Sequence, residues 1–205
     1  VEINATTYQT IEKASTGVFK NKGSKFLAFA YPVKTEQEIK LLMDGIKKEY
    51  FDARHHCFAY RLGPEKKVFR VNDDREPSGT AGKPILSQIL SNDLTNILIV
   101  VVRYFGGTLL GTSGLIQAYK LSSADAITNA KIVACSVFAT YQVFFTYTEL
   151  NMVMKYIKDY DLICENPEFD LKCTCILKIK KEIINNVLPK LSTLENVTLN
   201  YLGDE

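Results

Sequence analysis

One stretch limits the folds open to this chain. Asn96-Ile-Leu-Ile-Val-Val-Val102 is an apolar, β-rich run, and it leads directly into Arg103-Tyr-Phe-Gly-Gly-Thr-Leu-Leu-Gly-Thr-Ser-Gly114. The run reads as a buried strand. After it, Leu115, Tyr119, Ser122 and Ala126 recur at helical spacing, with Ser113 the expected N-cap of a helix reaching about Ala130. A strand therefore enters a glycine-rich turn, and the turn opens a helix. Four of the chain's 11 glycines, Gly106, Gly107, Gly111 and Gly114, lie in that turn. Glycine serves where the backbone needs φ > 0 or must approach something closely. The unpaired N–H groups of a helix N-terminus can hold an anion. With Arg103 and Tyr104 at the strand's end, this is the first candidate site; close packing of turn against helix is the alternative use of its glycines.

A second loop is equally dense: Asp73-Asp-Arg-Glu-Pro-Ser-Gly-Thr-Ala-Gly-Lys-Pro84. Gly79-Thr-Ala-Gly82-Lys83 invites a phosphate-loop reading, but Pro77 stands where the first Gly belongs and Pro84 where Ser or Thr would hold Mg²⁺. The glycines after the apolar strand lack dinucleotide spacing. A nucleotide-hydrolysing motor is therefore not expected. Asp73, Asp74 and Glu76 form a carboxylate cluster that suits either a divalent cation or acid–base work, or else pairing with Arg70, Arg75 or Arg103 and the capping of turns. Ser78 and Thr80 have no evident general base nearby in sequence. His55 and His56 are neighbours on a strand and point to opposite faces. His55 with Cys57 offers too few ligands for a closed zinc site. No cofactor and no metal are expected.

The cations Arg61, Arg70, Lys83 and Arg103 lie in or beside the two loops, interleaved with Tyr60, Tyr104 and Phe105. Basic groups with aromatics suit contact with an RNA backbone and its bases; the other reading is a network paired internally with Asp73, Asp74 and Glu76. The net charge of +2 conceals an asymmetry: residues 1–134 carry 18 basic against 13 acidic side chains, and residues 135–205 carry 7 against 10. Two surfaces with different partners follow.

Elsewhere the pattern gives elements. Phe26–Tyr31 reads as a strand, and Lys20, Lys22 and Lys25 around Gly23 read as a basic hairpin turn. Thr35 and Glu38 make a capping box ahead of a helix striped by Ile39, Leu42, Met43, Ile46 and Tyr50. Arg54–Leu62 alternates as a strand, with Val68–Val71 returning beside it. Pro84 opens a short helix with Ile85, Leu86, Ile89 and Leu90 facing inward. Beyond residue 134 the texture changes to β-α-β-β-α-β, the ferredoxin-like split unit. Its second helix is expected to kink or end at Pro189, and Cys173 and Cys175 share a core face. The domains are therefore placed at 1–134 and 135–205. The absence of a transmembrane-length apolar run and of a signal-peptide pattern, with five cysteines in no framework spacing, points to a cytoplasmic protein.

Three blocks together resemble the IMPACT/YigZ family of uncharacterised and translation-linked proteins: Ala53–Leu62, Asp73–Leu86 and Val102–Tyr119. The family usually has Gly where Arg75 and Ser113 stand, and Arg where Gln117 stands. The resemblance implies an α+β chain: a ribosomal-protein-like left-handed βαβ domain, followed by a ferredoxin-like domain similar to one of elongation factor G. It also implies a link to translation, since eukaryotic relatives restrain a stress-activated initiation-factor kinase through its ribosome-associated activator. The second domain here is not the partner-binding domain of those relatives, so that mechanism does not transfer whole.

The reading is a non-enzymatic regulator in translation or the stress response that binds RNA, the ribosome or other translation components. Its expected binding residues are Arg61, Arg70, Asp73, Asp74, Glu76, Ser78, Thr80, Lys83, Arg103, Tyr104, Gly106, Gly107 and Ser113. The loops at 73–84 and 103–114 should meet in one groove lined by Arg70, Lys83 and Arg103. The alternatives are an enzyme using Asp73, Asp74 and Glu76 on a phosphate-bearing substrate, and a pure protein-interaction module.

Overall fold

The computed structural model describes residues 6–205. They form two compact units, Tyr8–Cys135 and Ser136–Glu205, with Thr6 and Thr7 counted in the second. Both are α+β.

The larger unit begins with β1 (Thr7–Ile11), β2 (Ser15–Asn21) and β3 (Ser24–Pro32), followed by α1 (Glu36–Glu49), β4 (His55–Leu62) and β5 (Val68–Asn72). Next come α2 (Gly82–Ser91), β6 (Ile97–Tyr104), α3 (Gly111–Thr128) and β7 (Ile132–Ser136). Five strands make one sheet in the order β2-β3-β6-β4-β5, and β1 pairs with β7 in a separate ribbon. Every neighbour in the five-stranded sheet is antiparallel. Since β3 and β4 both oppose β6, they run parallel to each other, and α1 carries the chain across between them.

The apolar run earns its central place. Ile97, Leu98, Ile99, Val100, Val101 and Val102 are all fully buried. Alternate residues point to opposite faces: Ile97, Ile99 and Val101 pack with Ile85, Ile89, Leu115 and Tyr119 from α2 and α3, whereas Leu98, Val100 and Val102 pack with Ile39, Met43 and Ile46 from α1. Each of these side chains contributes about 1.5–3 kcal/mol through burial, so the strand needs helices on both faces. The capping box at α1 forms: Thr35 Oγ1 accepts from Glu38 N at 3.2 Å, and Glu38 Oε2 accepts from Lys34 N at 2.7 Å. Two expected details differ. Leu90 is 48% exposed, because α2 has only one covered face and Ile85 and Ile89 fill it. Ser113 is the third residue of α3 and not its cap; Leu110 holds the N-cap position with no side-chain hydrogen bond.

The smaller unit runs β8 (Phe138–Thr146), α4 (Leu150–Asp159), β9 (Ile163–Glu168), β10 (Lys172–Lys180), α5 (Ile184–Ser192) and β11 (Val197–Asp204). Its sheet order, β11-β8-β10-β9, is that of the ferredoxin-like unit. Cys173, Cys175, Leu177 and Ile179 alternate into its core, and burial pushes the Cys175 thiol up to about 12. Pro189 does not end the helix: α5 runs through it to Ser192. The carbonyl deprived of a partner belongs to exposed Asn185, where water replaces the lost bond.

The turn after β6 owes one glycine to close packing. Lys22 and Gly23, both at positive φ, close the β2–β3 hairpin, and Gly106 lies against its tip. A Cβ on Gly106 would sit 1.9 Å from Gly23 C, a clash of backbone on backbone that no rotamer relieves. Gly106→Ala is expected to cost at least about 3 kcal/mol in urea denaturation at pH 7. Gly45→Ala, on the open side of α1 with nothing within 4 Å, is expected to stabilise by up to about 1 kcal/mol.

Candidate functional site

Strand parity places Arg103 on the α3 side of the sheet, at the end of β6, where the apolar run gives way to a charge. The side chain is 6% exposed. A guanidinium buried this far must be paired, and the 73–84 loop supplies the partner. Glu76 Oε1 accepts from Arg103 Nη1 at 2.6 Å and from Tyr119 Oη at 2.8 Å, with its own side chain 3% exposed. The Arg103 guanidinium lies 5.4 Å from the Phe26 ring centroid and 5.7 Å from that of Phe105. It is thus held between two aromatic rings. Beneath the carboxylate, the single S–H of Cys57 is shared between Asp73 O, 3.0 Å from Sγ, and Tyr119 Oη, 3.3 Å from it. Burial drives the Tyr119 and Cys57 ionisations far upward, helped by the neighbouring carboxylates. Both stay neutral, so Cys57 is a packed donor and not a nucleophile.

Glu76 is delivered by a loop that the other two carboxylates fold. Asp73 Oδ2 accepts from Gly79 N at 2.9 Å, and its Oδ1 from Ala81 N at 3.0 Å and Gly82 N at 2.8 Å. Burial alone would raise the Asp73 carboxyl, but these three N–H donors and Lys83 together bring it below its usual value. Asp74 Oδ2 accepts from His56 N at 2.6 Å, and the Asp74 carbonyl accepts from His55 Nδ1 at 2.8 Å. That carbonyl can only accept, so His55 carries its proton on Nδ1 and turns Nε2 toward Glu76, 3.9 Å away. The three carboxylates thus face different partners, and among the described residues no group of three His, Cys, Asp or Glu is placed to hold a metal ion.

The two loops do meet. Between them lies a pocket of about 380 Å³, lined by Arg54, His55, Arg75, Glu76, Arg103, Phe105, Leu109 and the first turn of α3 at Gly111 and Thr112. Of the expected residues, Glu76 and Arg103 line it. Arg70 and Lys83 do not. Arg70 lies opposite Tyr60 in β5 and lines a groove with α1 on the other face of the sheet. Arg61 is at the far end of β4, donating to Lys66 O at 3.1 Å and Leu94 O at 3.3 Å. Lys83 folds over Gly79 and faces solvent. Tyr104 points to the α1 face, where its hydroxyl donates to Asp52 Oδ1 at 2.8 Å. Thr80 Oγ1 donates to Pro77 O at 2.6 Å within the loop. Ser78 and Ser113 are exposed and line no part of the pocket. Gly106 serves the hairpin contact, and Gly107 serves a positive φ of 84°.

The cations that replace Arg70 and Lys83 are Arg54 and Arg75. Arg75 Nη2 donates to Arg54 O at 2.8 Å, and the Arg54 guanidinium lies 5.8 Å from the Phe105 centroid. Arg54 was readable as the first residue of the strand expected over Arg54–Leu62, and it lies just before β4. Arg75 was readable only as a possible partner for a carboxylate, because its backbone at φ 69° is what swings it to the rim.

The family model described as the Impact N-terminal domain matches residues 22–127, which include both loops. The chain is 32% identical over 170 residues to IMPACT family member YvyE of Bacillus subtilis (strain 168), covering 80% of this chain and 78% of that protein. It is 41% identical over 106 residues to IMPACT family member YigZ of Escherichia coli (strain K12), covering 51% of this chain and 52% of that protein. A crystal structure of a hypothetical protein matches with a TM-score of 0.79 at 26% identity, covering 97% of this chain and 98% of that one.

Two outcomes check the electrostatics. Glu76→Ala, which strands the Arg103 charge, is expected to lower unfolding free energy by about 3–5 kcal/mol, and the apolar pair Glu76→Leu with Arg103→Met to recover most of it. Asp73→Asn is expected to cost about 1–3 kcal/mol at neutral pH. Because the folded-state Asp73 pKa is depressed, the wild type's advantage is complete above about pH 4 and shrinks as pH falls through the depressed value. A series of denaturation curves from pH 7 to pH 2 reads that convergence.

Proposed function

The chain belongs to the Impact N-terminal domain family, and from that premise we propose that it is a regulatory protein that binds RNA within the translation machinery through the pocket between its two loops. One observation carries the reading: Arg54, Arg75 and Arg103 converge on a single pocket whose one lining carboxylate, Glu76, is already paired with Arg103, and only Asp74, 3.7 Å from Arg75 Nε, offsets the other two. Arg54 and Arg75 stand on the rim with solvent-facing guanidinium groups, the arrangement that phosphate oxygens meet best. Exposed Phe105 and Leu109 beside them offer apolar surface to a nucleoside. The translation setting rests on the family. Asp73 and Asp74 are occupied by backbone donors, which favours binding over acid–base chemistry by the carboxylate loop. Among the described residues no helix is long and apolar enough to cross a membrane, and the cytoplasm is the setting we propose.

Arg103 is the wrong residue to remove in a test, since its loss strands Glu76. Arg54 and Arg75 are exposed and suit the purpose. Filter binding of a short single-stranded RNA, with ribosome co-sedimentation alongside, is expected to show binding that falls with salt. Three phosphate contacts correspond to a log–log slope of about −2, and Arg54→Ala should reduce its magnitude by about 0.7. Failure to bind either RNA or ribosomes at low salt would overturn the reading.

A further inference from the structure

The pocket has a shape and a charge that narrow its ligand further than RNA in general. Its floor is the buried Arg103–Glu76 pair together with Leu115, which is 6% exposed. A volume of about 380 Å³ lies at the small end of ligand pockets and has room for one nucleotide. One wall is the first turn of α3, an 18-residue helix whose N-cap, Leu110, makes no side-chain hydrogen bond and whose first turn holds no acidic residue. Its leading N–H groups are therefore unspent and carry partial positive charge.

A second observation points to an anion independently. Arg103 Nε is fully buried and has no hydrogen-bond partner, on a side chain 6% exposed that lines the pocket. A guanidinium has five N–H donors, and the one protein acceptor it reaches, Glu76, is bonded through Nη1. The ring contacts with Phe26 and Phe105 hold its plane in place, so its charge is fixed before any ligand arrives. Three arginines against Glu76 and against Asp74, whose Oδ1 lies 3.7 Å from Arg75 Nε, leave one positive charge; the first turn of α3 adds about half a charge, and a phosphomonoester carries about −1.5 to −2 at neutral pH. A phosphodiester inside a strand carries only one negative charge.

We propose that the pocket seats a single nucleotide bearing a phosphomonoester, either free or as the phosphorylated end of an RNA strand. The phosphate lies among Arg54, Arg75 and the first turn of α3, and the nucleoside lies along Phe105 and Leu109. The proposal rests on the RNA reading only for the second of these two sources. Arg75 sets the preference. It stands at φ 69°, a conformation open to glycine without strain, so Arg75→Gly removes the guanidinium with its exposed contacts to Arg54 O and Asp74 and leaves the backbone unstrained.

The test uses the full chain in fluorescence anisotropy and calorimetry, with AMP, adenosine, and RNA decamers of one sequence bearing a 5′-phosphate, a 3′-phosphate or hydroxyls at both ends. One phosphorylated decamer is expected to bind at least about tenfold more tightly than the hydroxyl strand. AMP should bind and adenosine should not, and inorganic phosphate should compete. Arg75→Gly and Arg54→Ala should each erode the preference while leaving the thermal midpoint unchanged. AMP binding without any RNA binding keeps the pocket and removes the RNA reading. Equal affinity for all three decamers, with no AMP binding, overturns the pocket and leaves the RNA reading in place. A preference that both arginine variants retain also overturns it.

Discussion

A guanidinium at the end of the central strand has to be neutralised inside the protein, and much of the larger unit is arranged to do it. Arg103 closes an apolar run that is buried on both faces, so its side chain is almost wholly withdrawn from water. Glu76 meets it, Tyr119 of α3 steadies Glu76, and Cys57 of β4 steadies Tyr119. Four separate segments are thereby tied at one point: two strands, a loop and a helix. An ion pair so placed adds little net stability by itself, since removing two charges from water costs nearly as much as their attraction returns. It does fix position. Loop and helix can approach each other in one way only, and the pocket is the space that this approach leaves between them.

The acidic residues of the loop divide into builders and a partner. Asp73 gathers three backbone N–H groups at the start of α2, and Asp74 ties the loop to the first residues of β4. Asp73 spends its charge on the backbone, and Asp74 divides its charge between the His56 N–H and Arg75, whose Nε lies 3.7 Å from Asp74 Oδ1. Glu76 spends its charge on Arg103. What remains unspent on this face is basic, and that follows from the accounting of hydrogen bonds, not from the overall charge of +2.

Much of the architecture was legible beforehand, and the limits have physical causes. Apolar alternation located β4 and β10, the unbroken run located β6, and Thr35 with Glu38 located the start of α1, because each depends on neighbours in sequence. The pairing of the two loops was legible from their density of charge and glycine. Which cations would share the groove was not. Arg61, Arg70 and Arg103 all lie on strands, but which face each presents depends on strand register, and which end on strand direction. Register and direction are fixed by pairings up to dozens of residues apart. Arg75 was hidden for a different reason: arginine itself gives no local signal of the positive φ it adopts here, and only the Gly usual in the family at that position points to it. Ser113 looked like a cap because serine favours that position, yet α3 starts two residues earlier, at Gly111.

The strand order carries a consequence for how the chain is made. β6 occupies the middle of the five-stranded sheet and is also the last of its strands in sequence. As the polypeptide leaves the ribosome, β2–β3 and β4–β5 can each zip up as a local hairpin. Neither can dock on the other until Ile97–Tyr104 emerges to fill the gap. During that interval β3 and β4 both expose open backbone edges, the condition under which nascent chains stick to one another. Sheet closure then depends on contacts distant in sequence and belongs to the slower class of folding events. The strand that ends in the pocket's buried arginine is therefore also the timing element of biogenesis.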